Sequence, residues 1–198
     1  MAKVFASIFV VLLATSVSLL AASLSAQGEG DLRKTVREIA EHFSKAEKNK
    51  SNTKAATELA AKTGKSIDKT SELMAMFRPR DDGGVGVGAV AGKNPAKDGI
   101  EAMIRDLSTN VPFAVLKDIA AIEEMGYTIA AMGAIVDAKG PPKTADAKAA
   151  KLWHEYAHDT HLNGLAFARA AADKKPATIK MAALKVRTSC GGCHAFFK

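Results

Sequence analysis

The sequence predicts an all-α protein, an antiparallel four-helix bundle with an elaborated or broken first helix and a Gly-rich loop. Three observations lead there. Apolar residues recur three and four apart over long windows. The alternation of apolar and polar residues that marks a half-buried strand never persists. Gly and Pro, the strongest local breakers, gather at a few places and divide the chain into long helical runs.

Residues 1–26, MAKVFASIFVVLLATSVSLLAASLSA, carry one positive charge near the start, then a long apolar stretch, then small residues ending at Ala26. That order fits a secretory signal peptide, with an uncleaved N-terminal anchor as the alternative, since the run reaches the roughly 20 residues that cross a bilayer. Either reading puts residues 27–198 outside the cytoplasm, in the periplasm or secreted. About 170 residues then remain, enough to bury the core of one domain. The formal charge of +7 is spread over scattered lysines with no long run of one sign. This argues against nucleic acid and for a solvated surface with a preference for acidic partners.

The first helix is expected in DLRKTVREIAEHFSKAEK, with Asp31 as N-cap and Leu32, Val36, Ile39, Ala40 and Phe43 on one face. A polar stretch at 49–53 interrupts it before KAATELAAKTGKSIDKTSELMAMF. Residues 78–99 are rich in Gly with Pro toward both ends, a long connection rather than a phosphate cradle, because no strand precedes GGVGVG. A third segment, from about 111 to 138, is apolar around most of its circumference, as in a helix packed on several sides. Gly140-Pro141-Pro142 stops it. Segments from about 144 to 174 and from 176 to 197 are separated only by Lys175-Pro176, so they run antiparallel.

The last segment contains the chemistry. Ile179, Ala183, Val186, Cys190, Cys193 and Phe197 fall on one helical stripe, so both thiols face inward one turn apart, followed at once by His194. C-x-x-C-H is the signature for covalent haem c, with two thioether bonds from Cys190 and Cys193 and His194 as an axial iron ligand. Chance yields this arrangement from two Cys and five His roughly once in four thousand chains of this length. The alternatives are a local disulfide, a thioredoxin-like pair, which should open a helix after a strand, and half of a zinc site, which needs two further ligands.

A helical bundle with CxxCH in its last residues resembles the class II cytochromes c, the cytochrome c′ group. The similarity is strongest over residues 144–198, where LWHEY and SCGGCHAFFK look like the family's last two helices. The resemblance implies a left-handed antiparallel four-helix bundle with one covalent haem in its core, attached at Cys190 and Cys193 and ligated by His194. Family members often pair through early helices, which leaves a homodimer open.

Opposite His194, low-spin family members place a Met in the first helix. Here no Met lies in that helix, so the distal side is expected to be vacant with Val36 or Ile39 over the iron, or to hold His42. Met74 and Met76, beside the glycine loop, are expected to be core. His154, His158 and His161 share one flank of their helix, a pattern that fits a surface zinc or copper site but more simply exposed or half-buried histidines. Trp153 is expected in the core. The function implied is electron transfer by an exported haem protein that is not an enzyme, with an acidic redox protein as partner. The alternative is a five-coordinate protein that binds NO or CO.

Overall fold

A computed structural model describes residues 30–88 and 98–197, and the expected signal segment 1–26 lies outside them. Among the described residues the chain is helical with no strand. Its helices are α1 (30–49), α2 (Lys54–Ser66), α3 (Thr70–Ala75), α4 (Ile100–Thr109), α5 (Phe113–Leu116), α6 (Ile119–Lys139), α7 (Ala147–Ala172) and α8 (Pro176–Phe196). The segment expected to continue as one helix after Lys54 is broken into α2 and α3 at Ile67–Lys69. A short helix, α4, follows the glycine-rich stretch.

Local chemistry sets the ends of the long helices. Asp146 caps α7 by accepting a 2.7 Å hydrogen bond from the Ala149 amide. Pro176 opens α8 at a position where a missing amide hydrogen costs nothing. Gly140 ends α6 at φ 76°, a conformation that side chains with a β-carbon disfavour.

Helices α6 and α7 form the centre. α6 is long and apolar enough to cross a membrane by length and composition, but 67% of its apolar window is buried inside the protein, as in a core helix. The two helices approach closely because glycines line their contact. A β-carbon on Gly126 would lie 2.6 Å from the Ala168 amide nitrogen, and one on Gly164 would lie 2.5 Å from that of Ala130. Pairing 126 with 168 and 133 with 161 makes them antiparallel. α8 returns antiparallel along α7, with Asn163 near Lys185 and Tyr156 near Gly192. α1 runs antiparallel to α6, since Lys48 pairs with Glu123, and along α7, where Glu47 meets Arg169 and Phe43 meets His161.

Two apolar clusters flank this centre. One joins Val36, Ile39 and Phe43 of α1 to Ala56 and Ala60 of α2, Leu73 of α3, and residues of α6 and α7 that include Trp153. The other joins Ile104 and Leu107 of α4, Met125 and Ile129 of α6, Phe167 of α7, and Ile179, Ala183 and Val186 of α8. Burial of these side chains is the main stabilising term, at about 1.5–3 kcal/mol for each large one.

The glycine-rich segment is held, over its described part, by one buried ion pair. Arg80 Nε donates to Asp98 Oδ2 at 2.8 Å, and Arg80 Nη2 donates to the Val87 and Gly88 carbonyls, each at 2.8 Å. The Val87 amide completes the knot on Asp98 Oδ1 at 3.1 Å. Arg37 Nη2 ties the same loop to α1 through the Val85 carbonyl. Residues 83–88 are thus irregular, as expected of a connection, but pinned to Asp98 and α1, while residues 89–97 lie outside the described chain.

Candidate functional site: an apolar cavity around CxxCH

The second cluster runs out of large side chains toward the C-terminal end of α8, and a cavity of about 470 Å³ opens there. That volume lies within the roughly 300–1,000 Å³ of small-molecule and cofactor sites. Cys190, Cys193 and His194 all line it. The inner stripe expected from spacing is present: Ile179, Ala183 and Val186 are buried, and Cys190 packs against the cluster they belong to.

Other helices supply the remaining walls. Ile100 and Ile104 come from α4, Ile129, Gly133 and Val136 from α6, and Tyr156, Ala157 and Thr160 from α7. Met74 and Phe77, from α3 and the turn after it, close the cavity from another direction. Three exposed arginines, Arg78, Arg105 and Arg187, stand around it with one carboxylate, Glu101. An apolar interior with a cationic rim suits a flat hydrophobic molecule bearing carboxylates at one edge.

The thiols are free and neutral. Burial, then the neighbouring Cys193 and Glu101, push the Cys190 thiol up to about 11, and burial also raises Cys193. The motif sits in the last turns of α8, at the negative end of the helix dipole. Thioredoxin-like pairs need the reverse, a helix N-terminus that stabilises a thiolate. Among the described residues no group of three or more His, Cys, Asp or Glu side chains gathers to hold a metal ion. The zinc half-site therefore lacks its other half there. A haem demands less of the chain, only thiols for attachment and axial donors for an iron it brings with it.

Backbone geometry around the motif is tight on one side. A β-carbon on Gly192 would collide with the Tyr156 ring, whereas one on Gly191 would meet nothing within 4 Å. The glycines of CGGCH thus have different roles: one accommodates α7, and the other faces open space.

Several sequence-selected residues lie elsewhere. Val36 and Ile39 are fully buried in the first cluster and His42 is half-buried on α1, and none of the three lines the cavity. Met76 is core as expected, and Met74, half-buried, packs against the first cluster while also lining the cavity. Trp153 is core, its indole donating to the Val136 carbonyl at 2.9 Å and its ring edge-on to Phe197. The three histidines of α7 do not converge: His154 contacts Asp137 at 2.6 Å, His158 is exposed, and His161 turns inward to the Ala130 carbonyl at 2.9 Å. Sequence reasoning missed α4 as a cavity wall, although Ile100, Met103, Ile104 and Leu107 carry the helical spacing.

Compared with known proteins, the chain matches no family model, no curated protein and no solved structure.

Proposed function

We propose that this protein is an exported c-type cytochrome that carries one covalent haem in the cavity beside α8 and transfers electrons. The observation that carries the reading is that Cys190, Cys193 and His194 line one apolar cavity of cofactor size. Each thiol would add its S–H across a vinyl group of the porphyrin, sulfur to one carbon and hydrogen to the next, with no change of oxidation state. Neutral buried thiols fit this role better than they fit thiol–disulfide exchange. His194, the next residue after the second attachment point, supplies an imidazole nitrogen tethered beside the iron. Bound there, haem supplies a one-electron ferric–ferrous couple.

The other residues bind and shield. Ile104, Ile129 and Val136 would exclude water from the porphyrin faces, and the low local dielectric would favour the neutral ferrous core over the charged ferric one. Arg78, Arg105 and Arg187 would receive the propionates. In this reading α1, α6, α7 and α8, which alternate in direction, are the four helices of a bundle like that of the class II cytochromes c, with α2–α5 as an elaboration between the first and second. The net charge of +7 favours a weakly held acidic redox partner.

The test is expression in a host that matures c-type cytochromes, followed by absorption spectroscopy. A haem spectrum that survives acid–acetone extraction is expected. Cys190→Ala should weaken or abolish attachment, and His194→Ala should leave the haem tethered but misligated. A protein that binds no haem would overturn the reading.

A further inference from the structure

We propose that Met74 is the second axial ligand, its thioether sulfur binding iron on the side opposite His194. This rests on the haem reading above and places the ligand on α3, beside the glycine loop, where core packing is the simpler expectation for Met74.

The argument is an elimination over the cavity's own side chains. Once Cys190 and Cys193 are thioethers and His194 is one axial ligand, the uncharged or anionic donors left on the walls are Met74, Glu101, Tyr156 and Thr160. Three of these belong to the side that carries CxxCH. The Tyr156 ring rests on Gly192 of α8. Thr160 lies within hydrogen-bonding reach of the Cys190 thiol, and Glu101 acts electrostatically on that same thiol. Their helices, α7 and α4, both pack directly on α8. Met74 comes from a different element: α3 packs on α6, and Met74 lines the cavity with Phe77.

The fold holds this segment in place. Immediately after α3, the Val85 amide donates to the Met76 carbonyl at 2.9 Å and the Glu101 amide donates to the Phe77 carbonyl at 3.3 Å. The Arg80–Asp98 pair then locks the turn beside the start of α4. Meanwhile Leu73 and Met76, on either side of the ligand candidate, are anchored in the first apolar cluster. Met74 itself is half-buried, its unbranched side chain packing against that cluster while also lining the cavity. The site is thus a flexible soft donor on a fixed backbone, the arrangement a His/Met iron centre needs.

The experiment compares ferric and ferrous spectra of the matured wild type, Met74→Leu and Met74→His. Leucine keeps the packing and removes the sulfur, so it separates ligation from folding. For the wild type we expect a low-spin spectrum with the weak red band of methionine–iron charge transfer and slow, weak CO binding. Met74→Leu should lose the red band, turn high-spin and bind CO at least about tenfold faster, with covalent haem content unchanged. Met74→His should restore a low-spin spectrum at a lower reduction potential. Covalent haem with a high-spin wild-type spectrum, or spectra identical in wild type and Met74→Leu, would overturn the assignment while leaving the haem reading intact. A wild type without covalent haem would overturn both.

Discussion

The ring of Tyr156 rests on the backbone of Gly192, so helix α7 touches the CGGCH motif itself at a point where only hydrogen fits. The adjacent Gly191 meets no such neighbour, which makes the pair a controlled comparison within one motif. Gly191→Ala should raise stability by about 0.5–1 kcal/mol, because alanine lowers the entropy lost on forming a helix. Gly192→Ala gains the same propensity but must displace Tyr156 into the cavity, at a cost of about 1–3 kcal/mol. Thermal unfolding of both variants should therefore shift in opposite directions, and Gly192→Ala should also reduce haem incorporation. Equal stabilisation by both would contradict the packing described.

The clamp of Arg80 on Asp98 holds the turn that follows α3. Asp98 is buried, at 2% exposed, and Arg80 is half-buried, so removing the carboxylate leaves the guanidinium with only carbonyl partners on this loop among those described above. Asp98→Ala should cost about 3–5 kcal/mol, measured by denaturant unfolding. Burial acts to raise the Asp98 carboxyl, but the hydrogen bonds from Arg80 and Val87 outweigh it and hold the group below its ordinary value. The folded state thus binds this proton more weakly than the unfolded chain does. The stabilisation is present above the ordinary aspartate range, near 3.9, and is lost as pH falls through the depressed folded value. The Asp98→Ala variant should lack that part of the acid sensitivity.

His161 introduces a second pH dependence, nearer neutrality. Burial first, with a smaller push from His158, lowers its pKa, against the opposing effects of the Ala130 carbonyl and Asp137. The ring packs 4.9 Å from Phe43, centroid to centroid, and joins α7 to α1 and α6. A folded pKa below the unfolded value of about 6.5 means that this contribution is complete above that pH and declines as pH falls through it. Melting temperature should therefore drop between about pH 7 and pH 5, and His161→Gln should flatten that slope.

The fold class was legible in the sequence because helical periodicity survives wherever a face is buried, as at Val36, Ile39 and Phe43 or at Ile179, Ala183 and Val186. The inward direction of Cys190 followed from the same stripe. Two parts of the cavity were not legible, for different reasons. α4 is only ten residues long and lies between the glycine-rich connection expected to end at 99 and the helix expected from about 111, so its short apolar spacing carries little signal. Met74 packs against the first cluster as expected, but its reach to the cavity depends on contacts distant in sequence, such as Arg80 with Asp98 and the Phe77 carbonyl with the Glu101 amide, which no local pattern encodes. The distal side was sought on α1 because the family resemblance pointed there, yet α1 spends its apolar face on α6 and α7.

The central claim is tested most directly by mass spectrometry of the denatured, matured protein. Covalent haem predicts that one haem mass is added per chain and stays on the C-terminal peptide containing Cys190 and Cys193. Replacing both cysteines with serine should remove it. An unmodified peptide, with both thiols free or joined as a disulfide despite maturation alongside a known c-type cytochrome, would contradict the account.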